Sequence, residues 1–262
     1  MTVAAAGVLT GWGAGVTALP DDAGRAAQGR RVLTIPRPAL SGDRFRRATR
    51  ECLLGVAAVE AMLTDGGLAR DAIAGSDTGL LYVTAAAYGA ANASFVKGEG
   101  QAGTLHFPYT APSAVPAEVA IEFGLRGAYV ILLGGAATTI DALWQAHVLI
   151  RRGRCARALV LAVESFEECA DLYARARWLA SGPLVEAAAA VLLTVDGPAV
   201  AYGTAAQASR LEAEVHARAG QTLACGPLIA LALARTRGQS APAVTGRWRG
   251  RRARLEPDVA GR

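Results

Sequence analysis

The residues Tyr129-Val130-Ile131-Leu132-Leu133-Gly134-Gly135-Ala136-Ala137-Thr138-Thr139-Ile140-Asp141-Ala142-Leu143 read as a buried apolar strand, a turn of small residues and a helix. Such a turn can present a nucleophile at a helix N-terminus, where free amides and the helix dipole lower its pKa and bind an oxyanion. Here the presenting position holds Ala136, which has no nucleophilic atom. Thr138 or Thr139 is predicted to cap the helix, since a hydroxyl oxygen satisfies first-turn amides. Three other groups could serve an acyltransferase or thioesterase: Cys155, Cys225 and Ser113. Cys155 follows Arg152-Gly153-Arg154 at a helix exit, away from any N-terminal dipole, and Cys225 has no base close in sequence. Both read as inert buried thiols. His106 and His147 read as packing side chains, and His216 as solvated. Asp141 reads as a first-turn charge and Glu186 as an internal polar anchor.

Metal and cofactor chemistry finds no support. Cys52, Cys155, Cys169 and Cys225 lie far apart with no C-x-x-C pair, so neither a zinc site nor a disulfide framework is indicated. The glycines of Gly11 to Gly15 do not make a G-x-G-x-x-G fingerprint.

Elements able to position this turn alternate along the chain. Strands are predicted at Val3 to Leu9, Thr78 to Thr84, Tyr129 to Leu133, Ala158 to Val163, Ala187 to Val195 and Ala199 to Tyr202. Helices are predicted at Arg46 to Leu63, Ala114 to Phe123, Thr138 to Arg152, Ser165 to Ala176 and Leu223 to Ala234, with a short one between Ala85 and Gly103. A hairpin is predicted at Val244 to Gly250. This alternation argues for a layered α/β fold with its sheet covered on both faces.

The 262 residues are 52% hydrophobic and 19% charged, enough to bury a large core and too apolar for a disordered chain. No uninterrupted apolar run of about 18 residues suggests a membrane span. The start MTVAAAGVLTGWG lacks the basic region of a secretory signal, so a cytoplasmic protein is expected. The net charge of +5 is concentrated at one end: Val244 to Arg262 holds six arginines against Glu256 and Asp258. With Lys97 the only lysine, the bias does not read as a nucleic-acid surface.

The turn segment carries a family resemblance. Together with Gly124-Leu125-Arg126-Gly127 before it and Gln145-Ala146-His147-Val148-Leu149-Ile150-Arg151-Arg152-Gly153 after it, it resembles the nucleophile region of β-ketoacyl-acyl carrier protein synthases of the thiolase superfamily. It is still more similar to the chain length factors of type II polyketide synthases, the non-catalytic partners of those enzymes. Gly7 to Gly15, Phe45 to Arg50, Asp77 to Leu81 and Leu184 to Leu193 resemble further family segments in the same order. Matching Asp141-Ala142-Leu143 in register puts Ala136 where the synthases carry Cys and the factors usually carry Gln. Gly220-Gln221-Thr222-Leu223-Ala224-Cys225-Gly226 is similar to the family's Gly-His-Thr-Leu-Gly-Ala pattern, with Gln221 in place of the His. The other catalytic His, in a His-Gly-Thr-Gly-Thr pattern, has no counterpart.

The resemblance implies a thiolase-like layered αβαβα fold, with an N-terminal lobe over 1–196 and a shortened C-terminal lobe with a basic tail over 197–262. The short second lobe is expected to leave core surface for another chain to cover. The implied function is that of a catalytically inactive subunit with no cofactor of its own. It would pair with an active ketosynthase, meet acyl carrier protein through that complex, complete the acyl tunnel and limit product length. Tyr109, Pro112, Val115 and Pro116 are the tunnel candidates; Tyr129, Val130, Ile131, Leu132 and Leu133 are the interface candidates. No membrane or nucleic-acid partner is implied.

Overall fold

The apolar runs of the sequence meet in one six-stranded sheet whose two faces are buried in separate hydrophobic clusters. A computed structural model describes residues 1–46, 48–97, 107–166, 182–239 and 242–258. Its strands are β1 (Thr2–Thr10), β2 (Gly13–Ala14), β3 (Val32–Leu33), β4 (Thr78–Thr84), β5 (Tyr129–Leu133), β6 (Arg157–Glu164), β7 (Leu184–Val185), β8 (Ala187–Thr194), β9 (Val200–Thr204), β10 (Val244–Trp248) and β11 (Arg251–Pro257). Its helices are α1 (Ala23–Ala26), α2 (Arg50–Gly66), α3 (Gly89–Lys97), α4 (Ala114–Phe123), α5 (Ala136–Arg151), α6 (Arg210–Ala219) and α7 (Gly226–Thr236).

The large sheet runs β2-β1-β8-β6-β4-β5, with β4 parallel to both β5 and β6 and β8 antiparallel to β1 and β6. Four successive alanines, Ala187 to Ala190, form the buried middle of this sheet. Alanine has weak strand preference, and the central position between β1 and β6 overrides it. The small side chains of Ala188 and Ala190, on the α2 side, suit close packing of α2, which also lies on β1. There Gly7 is required, because a Cβ on it would stand 2.9 Å from the Cα of Met62.

One sheet face packs under α2 and α4, the other under α5 and α7. A smaller sheet, β10-β11-β9, closes over α5. Among the described residues the layers therefore run helix, sheet, helix, sheet, so the large sheet is covered on both faces, as the predicted alternation requires. Both α2 and α4 stop on left-handed glycines, Gly67 (φ 60°) and Gly124 (φ 65°). Leu68 and Leu125 then donate back to the Leu63 and Ala120 carbonyls at 2.9 Å.

Glu186 is the internal anchor expected of it. Its carboxylate pairs with the buried Arg50 guanidinium and accepts from the Ile35 amide at 2.7 Å and the Phe166 amide at 2.6 Å. This ties the start of α2 to the end of β6 and the entry to β8.

Several expectations need correction. The strand Tyr129–Leu133 is an edge strand: among the described residues it pairs only with β4, and Tyr129 and Leu133 are exposed. Ser165 and Phe166 are not helical, and the rest of the helix predicted to Ala176 lies outside the described residues, as do His106 and Cys169. Helix α6 occupies a stretch whose polar, arginine-containing composition gave no helix. The described residues of the C-terminal segment also lack the broad apolar exposure its shortness predicts. The outward positions of its small sheet hold Arg247, Arg252, Arg254 and Glu256, and Thr245 on that side is buried against Ser209 and Glu212, although Tyr202 is exposed. The large exposed apolar side chains lie mainly on α3, α4, β5 and the turn before α4: Phe95, Val96, Phe107, Ile121, Tyr129 and Leu133.

Candidate functional site

The chain leaves β5 through Gly134 and Gly135 and enters α5 at Ala136, with Gly135 as the N-cap. The helix thus begins two residues before Thr138, and neither threonine caps it. The Thr138 and Thr139 amides instead reach the Gly135 carbonyl at 2.9 and 3.2 Å. The Thr139 hydroxyl, fully buried, donates to the Ala224 carbonyl at 2.6 Å. That bond brings together the two segments read as degenerate, because Ala136 and Gln221 each stand three residues before one of its partners.

Gln221 is held by its main chain. Its amide donates to Pro183 at 2.9 Å and its carbonyl accepts from Val185 at 3.0 Å. Leu223 then takes a left-handed φ of 44° before Pro227 opens α7. The site lies at the C-terminal ends of the parallel strands β4 and β6, where open α/β sheets place their ligands.

At that end stands a residue the sequence reading missed. Glu164, the last residue of β6, is fully buried. Its carboxyl accepts from the amides of Ala85 (2.7 Å), Ala86 (3.0 Å) and Ala224 (3.2 Å). Burial drives its pKa up to about 8, and these hydrogen bonds oppose the rise. The available signal was a carboxylic acid ending an otherwise apolar run, Ala158 to Val163.

The thiols offered as alternative nucleophiles are poorly suited to attack. Cys155 and Cys225 are buried, and burial raises both pKa values. Cys52 is buried too and pushed up to about 12. Thiolate formation is therefore suppressed at neutral pH. His147 packs at 5.5 Å from the Trp144 ring, and burial, the N-terminal ammonium and Arg151 lower its pKa. His216 is exposed on α6. Among the described residues no group of three His, Cys, Asp or Glu could hold a metal ion.

The four tunnel candidates separate by environment. Val115 and Pro116 are buried in the first turn of α4, with Val115 filling the space beside Gly55 of α2. Tyr109 is half-buried and its hydroxyl lies 3.4 Å from Glu118, while Pro112 is also half-buried. On β5, Val130 and Leu132 pack toward α5, and Ile131 toward α2 and α4. Asp141 does more than supply a first-turn charge: it pairs with Arg251 and accepts from the Tyr202 hydroxyl at 2.6 Å. Arg252 and Arg254 are likewise ion-paired, with Glu212 and Glu256, so much of the tail's charge is neutralised locally.

This chain belongs to the β-ketoacyl synthase family: the family's N-terminal domain matches residues 37–206, well over half of it. No curated protein matches its sequence. Among solved structures it is similar to the ishigamide ketosynthase/chain length factor, at 16% identity over 97% of this chain and 98% of that one, with a TM-score of 0.68. It is also similar to a type II polyketide synthase acyl-carrier protein in complex with its ketosynthase bound to the hexaketide (13% identity, 97% of each chain, TM-score 0.70). A third likeness is to a ketosynthase in complex with its chain length factor from Xenorhabdus doucetiae (12%, 85% and 83%, TM-score 0.57). The fold is thus thiolase-like. No helix among the described residues is long and apolar enough to cross a membrane.

Proposed function

We propose that this chain is a non-catalytic, ketosynthase-like subunit that pairs with an active ketosynthase in a type II polyketide or related cytoplasmic pathway. The partner supplies the nucleophilic Cys and both His and takes acyl chains from the carrier protein. This chain completes the tunnel wall and limits product length, with no cofactor of its own. The observation that supports the reading is Ala136 at the head of α5, the position that the resemblance reads as the nucleophile's. An alanine cannot attack a thioester, and losing one member of a catalytic unit typically costs orders of magnitude in rate.

The free edge of β5 supports the pairing. Its outer main-chain groups, which no described strand pairs, and exposed Tyr129 and Leu133 favour strand addition by another chain. The test is Leu133→Arg, a charge placed on an exposed side chain. The variant is expected to fold as before and to lose co-purification with the ketosynthase. Unchanged co-purification counts against β5 as the interface.

A further inference from the structure

Glu164, fully buried, fastens two separate turns to the end of β6. Its Oε1 accepts from the amides of Ala85 at 2.7 Å and Ala224 at 3.2 Å. Its Oε2 accepts from the Ala86 amide at 3.0 Å and the Thr84 hydroxyl at 3.4 Å. That hydroxyl in turn accepts from the Ala86 and Ala87 amides, so the whole stretch from Thr84 to Ala87 is organised around one carboxyl. The stretch is the root of α3. Ala87 is buried, whereas Phe95 and Val96 further along are 37% and 82% exposed. Among the described residues α3 leans mainly on Phe107–Thr110, where the Phe95 and Phe107 rings lie 5.7 Å apart.

The donors to Glu164 among the described residues are three amides and a hydroxyl, all uncharged. Its carboxylate form is therefore buried without a counter-charge, a cost relieved when the group reaches water. The titratable groups facing it are Tyr82 on β4 and Cys225 before α7, both held neutral because burial raises their pKa values. From β8 the residue opposite is Ala187, and α5 contributes Thr139, which bonds the same Ala224.

We propose that Glu164 is a proton-dependent clasp on α3. Protonated, it holds the β4–α3 turn and the turn before α7 against the sheet. Its ionisation releases both turns together and frees the helix that carries Phe95 and Val96, while the sheet stays folded. The inference concerns contacts inside one chain, so it is independent of Ala136 and of any partner.

Hydrogen exchange of the full chain, read by mass spectrometry and corrected for intrinsic rates, tests it. Burial drives the carboxyl up to about 8 in the closed form, and once opened it titrates near its ordinary 4.5. Between those values opening releases a proton, so the opening equilibrium gains about tenfold per pH unit. Protection of the peptides spanning 85–92 and 222–226 is expected to fall together, by at least about tenfold from about pH 6 to about pH 8. It is also expected to stay below that of β8 throughout, because the turns open without the sheet. Glu164→Gln keeps the shape without the titration, and its protection is expected to be level across the range. Level protection in the parent overturns the proposal, as does a fall that Glu164→Gln leaves unchanged or a fall in one segment alone. If Glu164→Gln does not fold, the parent decides: protection equal to that of β8 at both pH values means that only unfolding frees the carboxyl, and the clasp is rejected.

Discussion

Burial pushes the Glu164 carboxyl from its ordinary 4.5 up to about 8, while the amides of Ala85, Ala224 and Ala86 and the Thr84 hydroxyl pull the other way. Between those values the folded chain keeps a proton that the unfolded chain has released. Stability from this group is therefore full below about pH 4.5, falls as pH rises through the window, and levels off above about pH 8. Glu164→Gln keeps the shape and removes the titration. Urea midpoints measured from about pH 5 to about pH 8 are expected to fall with pH in the parent and to flatten in the variant. Equal slopes would show that another group carries the dependence. Among single residues, Ala136 was readable because strand, glycine turn and helix fix its register locally. Glu164 was not, since its partners come from segments about 60 and 80 residues away, which no local pattern marks.

At the element scale, the helices and strands that alternate cleanly were legible: Thr78–Thr84, Ala114–Phe123 and Tyr129–Leu133 have the predicted bounds. The apolarity of β5 misled on burial, because composition reveals that a surface is covered but not whether its own chain covers it. Helix α6 was missed although it carries a capping signal, Ser209 accepting from the Glu212 amide at 3.1 Å. Its apolar positions, Leu211, Val215 and Ala219, fall every fourth residue on the buried face. Ser209→Ala is expected to cost about 1 kcal/mol, the usual worth of an N-cap, measured by thermal or urea unfolding. A change near zero would mean the packing of α6 on α7 sets its boundary unaided.

For the whole molecule, the polar outer face of the small sheet and the exposed apolar side chains on α3, α4 and β5 define opposite tendencies. One surface is finished for water, and the other invites a protein neighbour. The tunnel reading belongs to this scale as well, since an acyl chain would run between two subunits. Tyr109 is half-buried at its rim candidate position, and Tyr109→Ala is expected to shift the partner's products to longer chains by product mass. An unchanged profile would remove Tyr109 from the tunnel. The most direct test of the central claim is co-expression with an active ketosynthase of the same source, followed by size exclusion and exposure to an acyl thioester. The account predicts a one-to-one complex in which the acyl adduct forms on the ketosynthase alone. A stable monomer that ignores the ketosynthase, or an adduct on this chain, would contradict it.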